Sequence, residues 1–357
     1  MRIGIDCRKI ADYGIGTYIR GLLSGLAAAA GDETLVLFGP RSIDPLLPAG
    51  LRAERSIVDA PRYSVRELAA IGLAARRARL DVFHAPHYVV PFVSAPVVVT
   101  IHDLIHLRLP YRNPLRPLYA RGMLRRAARR SAAILTVTEA VRAEIEEAFP
   151  FAAGKVEAIP NGVLPIFSAE PSANDEATLG ALGLTRRGFF LFVGNDKPHK
   201  RLDVLIDAWR RLRGQMPQMR LALAGSAPER FAGEEGVVAA GRVSDAELAA
   251  LYRGALALVQ PSDYEGFGLP VAEAMASGTP VVCSDIPPLR EVAGGAGRFF
   301  ERGDADALAR AMRALRESDP SPLIAAGLRR ASGLTWAAAA ERTLVVYRRV
   351  GSRERRV

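Results

Sequence analysis

Pro261-Ser262-Asp263-Tyr264-Glu265-Gly266-Phe267-Gly268-Leu269-Pro270-Val271-Ala272-Glu273-Ala274-Met275-Ala276-Ser277-Gly278-Thr279-Pro280 carries the strongest signal in the chain. It lies between two apolar runs, Leu256 to Val259 and Val281 to Cys283, so it reads as the connection between two buried strands. Pro270 suits the first turn of a helix and Gly278 its C-terminal cap. The segment is therefore strand, loop, helix of about two turns, strand, one unit of a parallel sheet. Gly266 and Gly268 leave the loop backbone unshielded. Their N–H groups can face an anion at the helix N-terminus, where the macrodipole also favours negative charge. Glu265 sits in this loop and Glu273 about one turn inside the helix, roughly 5 Å further along its axis. Carboxylates at those depths can accept from sugar hydroxyls and from a ribose diol respectively.

The same rhythm runs outward in both directions. Short apolar runs near Arg2 to Asp6, Leu35 to Phe38, Val82 to His84, Val97 to Ile101, Ile134 to Val137 and Val156 to Ile159 alternate with helical patterns. Phe189 to Val193, Leu221 to Ala224, Leu256 to Val259 and Pro280 to Cys283 do the same. Each half supports its own doubly wound sheet. A length of 357 residues fits two domains. The expected division is an N-terminal domain over 1–165, a polar linker over 166–186, a second domain over 187–334, and a C-terminal helix over 335–357 packing back on the first domain, with Thr335 as its N-cap.

A composition 49% hydrophobic and 24% charged is ordinary for a globular chain and excludes a low-complexity protein. The N-terminus carries Asp6, Arg8 and Lys9 where an export signal needs an apolar run, and Val89 to Ile101 is interrupted by Pro91 and Pro96 and too short to span a bilayer. Cys7 and Cys283, far apart in sequence, offer neither a disulfide framework nor a zinc knuckle. The expectation is a cytoplasmic protein. Its formal charge of +10 is clustered: Arg108, Arg112, Arg116, Arg121, Arg125, Arg126, Arg129 and Arg130 share one stretch with no acid. Apolar residues interleave at helical spacing, which leaves two readings open, a solvated basic face or a peripheral contact with anionic membrane at its inner face. No aromatic platform or nucleic-acid motif accompanies the arginines, so nucleic acid is not an expected partner.

Three further turns follow apolar strands. Val193-Gly194-Asn195-Asp196-Lys197-Pro198-His199-Lys200-Arg201 can place cations beside phosphates. A preorganised Lys200 stabilises a departing diphosphate more in the transition state than in the ground state. Thr100-Ile101-His102-Asp103-Leu104 ends a buried strand, where ligands of open α/β sheets bind. Asp103 either orients His102 or the acceptor, or caps the next turn. His84 and His87 occupy the neighbouring strand end on what reads as the acceptor side. Gly14-Ile15-Gly16 opens a helix, but Ile19 stands where a dinucleotide fingerprint needs a third Gly, so NAD is disfavoured. Gly225-Ser226 and Gly241 to Ser244 follow strands of the second half and are expected to line a nucleotide base. No Asp-x-Asp pair is placed to hold a divalent ion, so no metal and no cofactor are expected.

The two Glu residues in their Gly-Phe-Gly-Leu-Pro context strongly resemble the donor-site motif of retaining GT-B glycosyltransferases of family 4. The likeness extends from the Gly14 loop to the C-terminal helix. It implies two Rossmann-like doubly wound parallel-sheet domains facing a cleft, and transfer of a hexose from a nucleotide-diphosphate sugar with retention, without metal. By resemblance, Glu265 contacts the transferred hexose, Glu273 the ribose, Lys200 the phosphates and His102 the donor sugar. Gly14, Gly16, Gly266, Phe267, Gly268 and Leu269 would line the donor, with Tyr18, His84, His87 and Asp103 on the acceptor side. Asn195 replaces an Arg that many members carry, leaving Lys197 and Arg201 as alternatives for the second cation. The pattern is similar to bacterial mannosyltransferases of surface polysaccharide synthesis. It favours GDP-mannose as donor and a glycan or polyprenyl-linked glycan as acceptor. Two rivals stay open: a GT-B-type nucleotide-sugar epimerase and a non-catalytic nucleotide-sugar-binding or membrane scaffold protein.

Overall fold

The computed structural model describes residues 1–59, 65–109, 115–226, 228–231 and 233–353. The chain divides into two compact units, Met1–Gly162 with Thr335–Val357, and Val163–Leu334. Each is a doubly wound parallel sheet, the fold class anticipated from the alternation of apolar runs and helical patterns.

Unit 1 contains β1 (Arg2–Asp6), β2 (Thr34–Gly39), β3 (Ala53–Ile57), β4 (Val82–Ala85), β5 (Val97–Thr100), β6 (Ser131–Thr136) and β7 (Val156–Ala158). They pair in parallel in the order β3-β2-β1-β4-β5-β6-β7. The connections carry α1 (Ile15–Ala29), α2 (Val65–Arg77), α3 (Ile105–Arg108), α4 (Leu115–Arg130) and α5 (Glu139–Ala148). Helices cover both faces, so every residue of β4 and β5 is buried and those strands read as unbroken apolar runs. The strand order reverses between β1 and β4, and the loops leaving their C-terminal ends open on that switch point.

Unit 2 repeats the plan with β8 (Phe189–Gly194), β9 (Arg220–Gly225), β10 (Val237–Gly241), β11 (Ala257–Gln260), β12 (Val281–Ser284) and β13 (Gly297–Phe300), ordered β10-β9-β8-β11-β12-β13. Its helices are α6 (Asp175–Ala181), α7 (Leu202–Leu212), α8 (Asp245–Gly254), α9 (Leu269–Ala276), α10 (Pro287–Ala293), α11 (Ala305–Glu317) and α12 (Ser321–Ala331). The reversal falls between β8 and β11. The stretch 166–186, expected to be a linker, holds α6 and belongs to this unit. Buried Asp175 receives both ends of the Arg253 guanidinium at 2.6 and 2.7 Å, which fixes α6 against α8.

After Leu334 the chain returns to unit 1 as α13 (Trp336–Arg353), capped by Thr335, whose Oγ1 accepts from Ala338 N at 3.1 Å. α13 lies along α1 because glycines let it. A Cβ at Gly21 would overlap the Trp336 ring, and one at Gly25 or Gly162 would overlap Trp336 backbone. Tyr18 adds an edge-on contact to the indole at 5.9 Å. Gly25→Leu is expected to cost at least the 1–3 kcal/mol typical of overpacking, read as a fall of several degrees in melting temperature. Gly214→Ala, where an added Cβ meets nothing within 4 Å, should leave the melting temperature nearly unchanged; equal effects would remove the cradle argument.

Candidate active site

In unit 2 the loops after β8 and β11 leave neighbouring strands and are tied together: Asp263 N donates to His199 O at 2.8 Å. The turn Pro198–Lys200 then brings Lys200 Nζ to Glu265, 2.8 Å from Oε1 and 3.0 Å from Oε2, with both side chains largely buried. Glu265 Oε1 also accepts from Gln260 Nε2 and Ser262 Oγ, each at 2.7 Å. A carboxylate only accepts, so the Gln260 amide must turn its NH2 toward it. Oε1 of Glu265 thus faces three donors, and Oε2 faces Lys200. Burial pushes the Glu265 carboxyl up, but the Lys200 charge and the hydrogen bonds from Lys200 and Ser262 outweigh it and hold the group below its ordinary range.

The alternatives for a second cation separate here. Arg201 adopts a left-handed backbone (φ 48°, ψ 46°) to turn the chain into α7. Its guanidinium is engaged by Asp203 and, at 2.9 Å, by Asp263. Those two carboxylates raise its pKa. Lys197 is exposed, and its backbone N–H donates to Asn195 Oδ1 at 3.3 Å. Gly225 (φ 119°) sits so close to Gly194 that any Cβ would overlap the Gly194 carbonyl, which brings the ends of β8 and β9 together.

α9 begins as its sequence indicates. Gly268 is left-handed (φ 93°), Pro270 lies in the first turn and Gly278 (φ 72°) follows the last. In the first turn Pro270 carries no N–H, and Val271 N and Ala272 N donate to Gly268 O at 3.0 and 3.3 Å, so what α9 turns toward the loop of Glu265, Gly266 and the buried Phe267 is the positive end of its dipole. Glu273, 8% exposed, accepts from Tyr252 OH at 2.9 Å. Burial raises its pKa to about 7; the Tyr252 hydrogen bond opposes the rise and Asp245 adds to it.

Unit 1 places its candidates at the ends of β1, β4 and β5. Gly14 (φ 52°) opens α1 with open space where a Cβ would stand, whereas a Cβ at Gly16 would strike the Ile10 carbonyl. His102 Nε2 donates to Pro86 O at 2.9 Å, which leaves Nδ1 as the acceptor of a neutral ring. Burial lowers the His102 pKa against the raising effects of Pro86 and Asp103. The Tyr18 ring meets His102 edge-on at 4.7 Å. Asp103 Oδ1 accepts from Ile105 N at 3.0 Å, capping the turn into α3. His84 is wholly buried, with Nε2 2.7 Å from Thr100 Oγ1 and Nδ1 2.5 Å from Tyr347 OH. His87 belongs to a different cluster: its Nδ1 accepts from Val89 N at 3.1 Å, and its Nε2 lies 3.7 Å from Asp6, which is paired with Arg8. Burial brings both His84 and His87 to about 3. Among the described residues no group of three His, Cys, Asp or Glu side chains is placed to hold a metal ion.

With this geometry in view, comparison with known proteins is specific. Residues 13–165 match the family described as Glycosyltransferase Family 4, and residues 174–325 the one described as Glycosyl transferases group 1. The phosphatidyl-myo-inositol mannosyltransferase of Mycobacterium leprae is 30% identical over 99% of this chain and 98% of its own length. The chain belongs to the family 4 glycosyltransferases. Another member, the O-antigen chain mannosyltransferase B of Escherichia coli, is 29% identical over 94% of this chain and 96% of its own. Among solved structures, sucrose-phosphate synthase from Thermosynechococcus elongatus superposes with TM-score 0.77 at 23% identity, covering 99% of both chains. WaaG, a glycosyltransferase of lipopolysaccharide biosynthesis, gives 0.75 at 16%, over 97% of this chain and 99% of its own. This family 4 glycosyltransferase therefore has the GT-B fold.

Sequence reading missed Gln260, Ser262, Tyr252 and Asp263 as partners of the site. A polar Gln260 closing the apolar run Leu256 to Val259 was the available signal. Glu273 generates a prediction whose sign can be worked out. A carboxyl raised from 4.5 to about 7 binds its proton more tightly folded than unfolded. It therefore contributes stability below pH 4.5 that is lost as pH rises to about 7. Glu273→Gln removes this titration, so without ligand its melting temperature should gain on wild type between pH 5 and pH 8. A gap that stays constant over that range would refute the assignment.

Proposed function

We propose that the chain is a retaining hexosyltransferase that moves mannose from GDP-mannose to a glycan or polyprenyl-linked glycan, without a metal. The observation that carries the reading is the Lys200–Glu265 pair at the α9 N-terminus. In this reading Lys200 and the positive end of the α9 dipole stabilise the diphosphate as the bond from the anomeric carbon to the phosphate oxygen breaks. Glu265 Oε2 accepts from a hydroxyl of the transferred sugar, Glu273 accepts from the ribose diol, and His102 Nδ1 accepts from the sugar. The acceptor hydroxyl forms the new bond on the face the phosphate leaves, and its proton passes to that phosphate. With Arg201 committed to Asp203 and Asp263, Lys197 is the better second cation. Support for mannose comes from the names of relatives that span nearly the whole chain. Structures of the similar Anabaena Alr3699/HepE contain UDP, glucose and UDP-glucose, so the base is a point for experiment.

Thermal unfolding with GDP, UDP and ADP in turn tests this. A ligand at 100 times its Kd adds about 2.7 kcal/mol, several degrees in midpoint. GDP is expected to shift the wild type and leave Lys200→Ala nearly unmoved. No shift with any nucleotide would sink the reading in favour of a non-catalytic scaffold.

The reading extends to the inner face of a membrane. No helix of the described residues is long and apolar enough to cross a bilayer. α4 nevertheless exposes Arg121, Arg125 and Arg129 beside Leu118 (66% exposed) and Tyr119 (59%). Arg125 and Arg129 also lie over the exposed Phe151 ring at 5.8 and 5.2 Å. Arg108 instead pairs with Glu144 and Glu147, and Arg112 falls outside the described residues. Exposed arginines with adjacent apolar side chains suit anionic lipid. The protein should float with phosphatidylglycerol vesicles at low salt, and Arg125→Glu with Arg129→Glu should release it. Equal flotation of that variant would remove the membrane contact.

A further inference from the structure

Unit 1 holds a chain of buried polar side chains that the proposed chemistry leaves unused. Tyr347 OH lies 2.5 Å from His84 Nδ1, His84 Nε2 lies 2.7 Å from Thr100 Oγ1, and that oxygen lies 3.0 Å from Tyr18 OH. Exposures are 0% for Tyr347 and His84, 1% for Thr100 and 5% for Tyr18. The members come from α13, β4, β5 and α1, so nothing in local structure demands hydroxyls and an imidazole at these places. A buried polar group left without a partner costs about 1–3 kcal/mol, while a fully partnered network fixes one arrangement of its elements.

The hydrogens can be followed. Burial keeps His84 neutral, with one N–H and one lone pair. Four groups bring four hydrogens to three bonds, so one hydrogen is left over. It is accommodated best at the more open end, at Tyr18. Tyr347 then donates to His84 Nδ1, His84 Nε2–H donates to Thr100, and Thr100 donates to Tyr18. Tyr18 turns its ring to His102 at 4.7 Å and 79°. The hydrogen bond from His102 to Pro86 O holds one atom of that imidazole and leaves the ring free to turn about the bond. The edge of Tyr18 sets its plane, and with it the direction of the Nδ1 lone pair.

We propose that Tyr347, on the C-terminal helix, is a positioning residue for His102, acting through His84, Thr100 and Tyr18. The inference rests on the reading of His102 as a residue of the transfer site. The protein has five histidines, few enough for their ring resonances to be assigned in the full chain. Tyr347→Phe and Thr100→Val are expected to move the His102 ring resonances, and Thr100→Ser, which keeps the hydroxyl, to restore them. In the same two variants kcat for GDP release from GDP-mannose should fall about tenfold, while the midpoint shift given by GDP stays that of the wild type. Unchanged His102 resonances in folded Tyr347→Phe overturn the proposal even if GDP-mannose is not turned over. A kcat loss that only follows the folded fraction through all three variants overturns it as well. His102→Ala separates the two levels: if it keeps full kcat, the reading of His102 fails, whereas an inactive His102→Ala beside a fully active Tyr347→Phe removes the positioning role alone.

Discussion

A parallel strand can be followed by its neighbour only after the chain has crossed back over one face of the sheet. That constraint decides where everything else in this protein stands. It sends the C-terminal ends of consecutive strands to one edge, and the reversal of strand order beside β1 in one unit and β8 in the other opens a gap among the loops there. Each candidate residue on a strand-end loop lies at such an edge: Gly14 and Gly16 after β1, His84 at the end of β4 with His87 after it, His102 after β5, Lys200 after β8, and Glu265 after β11. Glu273 follows from the same connection, one turn into α9.

The edge supplies position, and burial then sets charge. Lys200 and Glu265 are both mostly out of water, where a lone ion is costly, and each makes the other tolerable. Gln260 and Ser262 complete the arrangement by loading one carboxylate oxygen. Eight positions further along the chain, Glu273 has burial without a cation, and its carboxyl takes the opposite direction. Two acids of the same motif are thereby given different protonation behaviour by their surroundings.

Legibility in the sequence followed the same physics. Central strands, covered on both faces, announce themselves as apolar runs, and all of them were read. The strands that were not read, β3, β10 and β13, lie at sheet edges: Glu54, Arg55 and Arg298 dilute the apolar pattern of β3 and β13, and β10 is a short run of small side chains, Val237–Gly241, that ends on glycine. The loop and caps of α9 were legible because glycine and proline have few other uses there. The helix α6 was not, because its hold on unit 2 comes from Asp175 and Arg253, 78 residues apart. Distance hid the polar chain of unit 1 in the same way, since Tyr347 and His84 are 263 positions apart. Asp103 carried two readings in sequence, and its carboxylate accepts from Ile105 N at the turn into α3.

The seating of Trp336 among Gly21, Gly25 and Gly162 also bears on the order in which the chain can mature during synthesis. Residues 163–334 form a compact unit, and all of them are added before residue 336. Unit 1 has an α1 face shaped for α13, a helix translated after the whole of unit 2. On the ribosome the usual sequence of N-terminal domain first is therefore reversed for the final packing step. The α1 face thus keeps an open glycine-lined groove until residues 336–353, which follow the whole of the second unit in the chain, have left the ribosome.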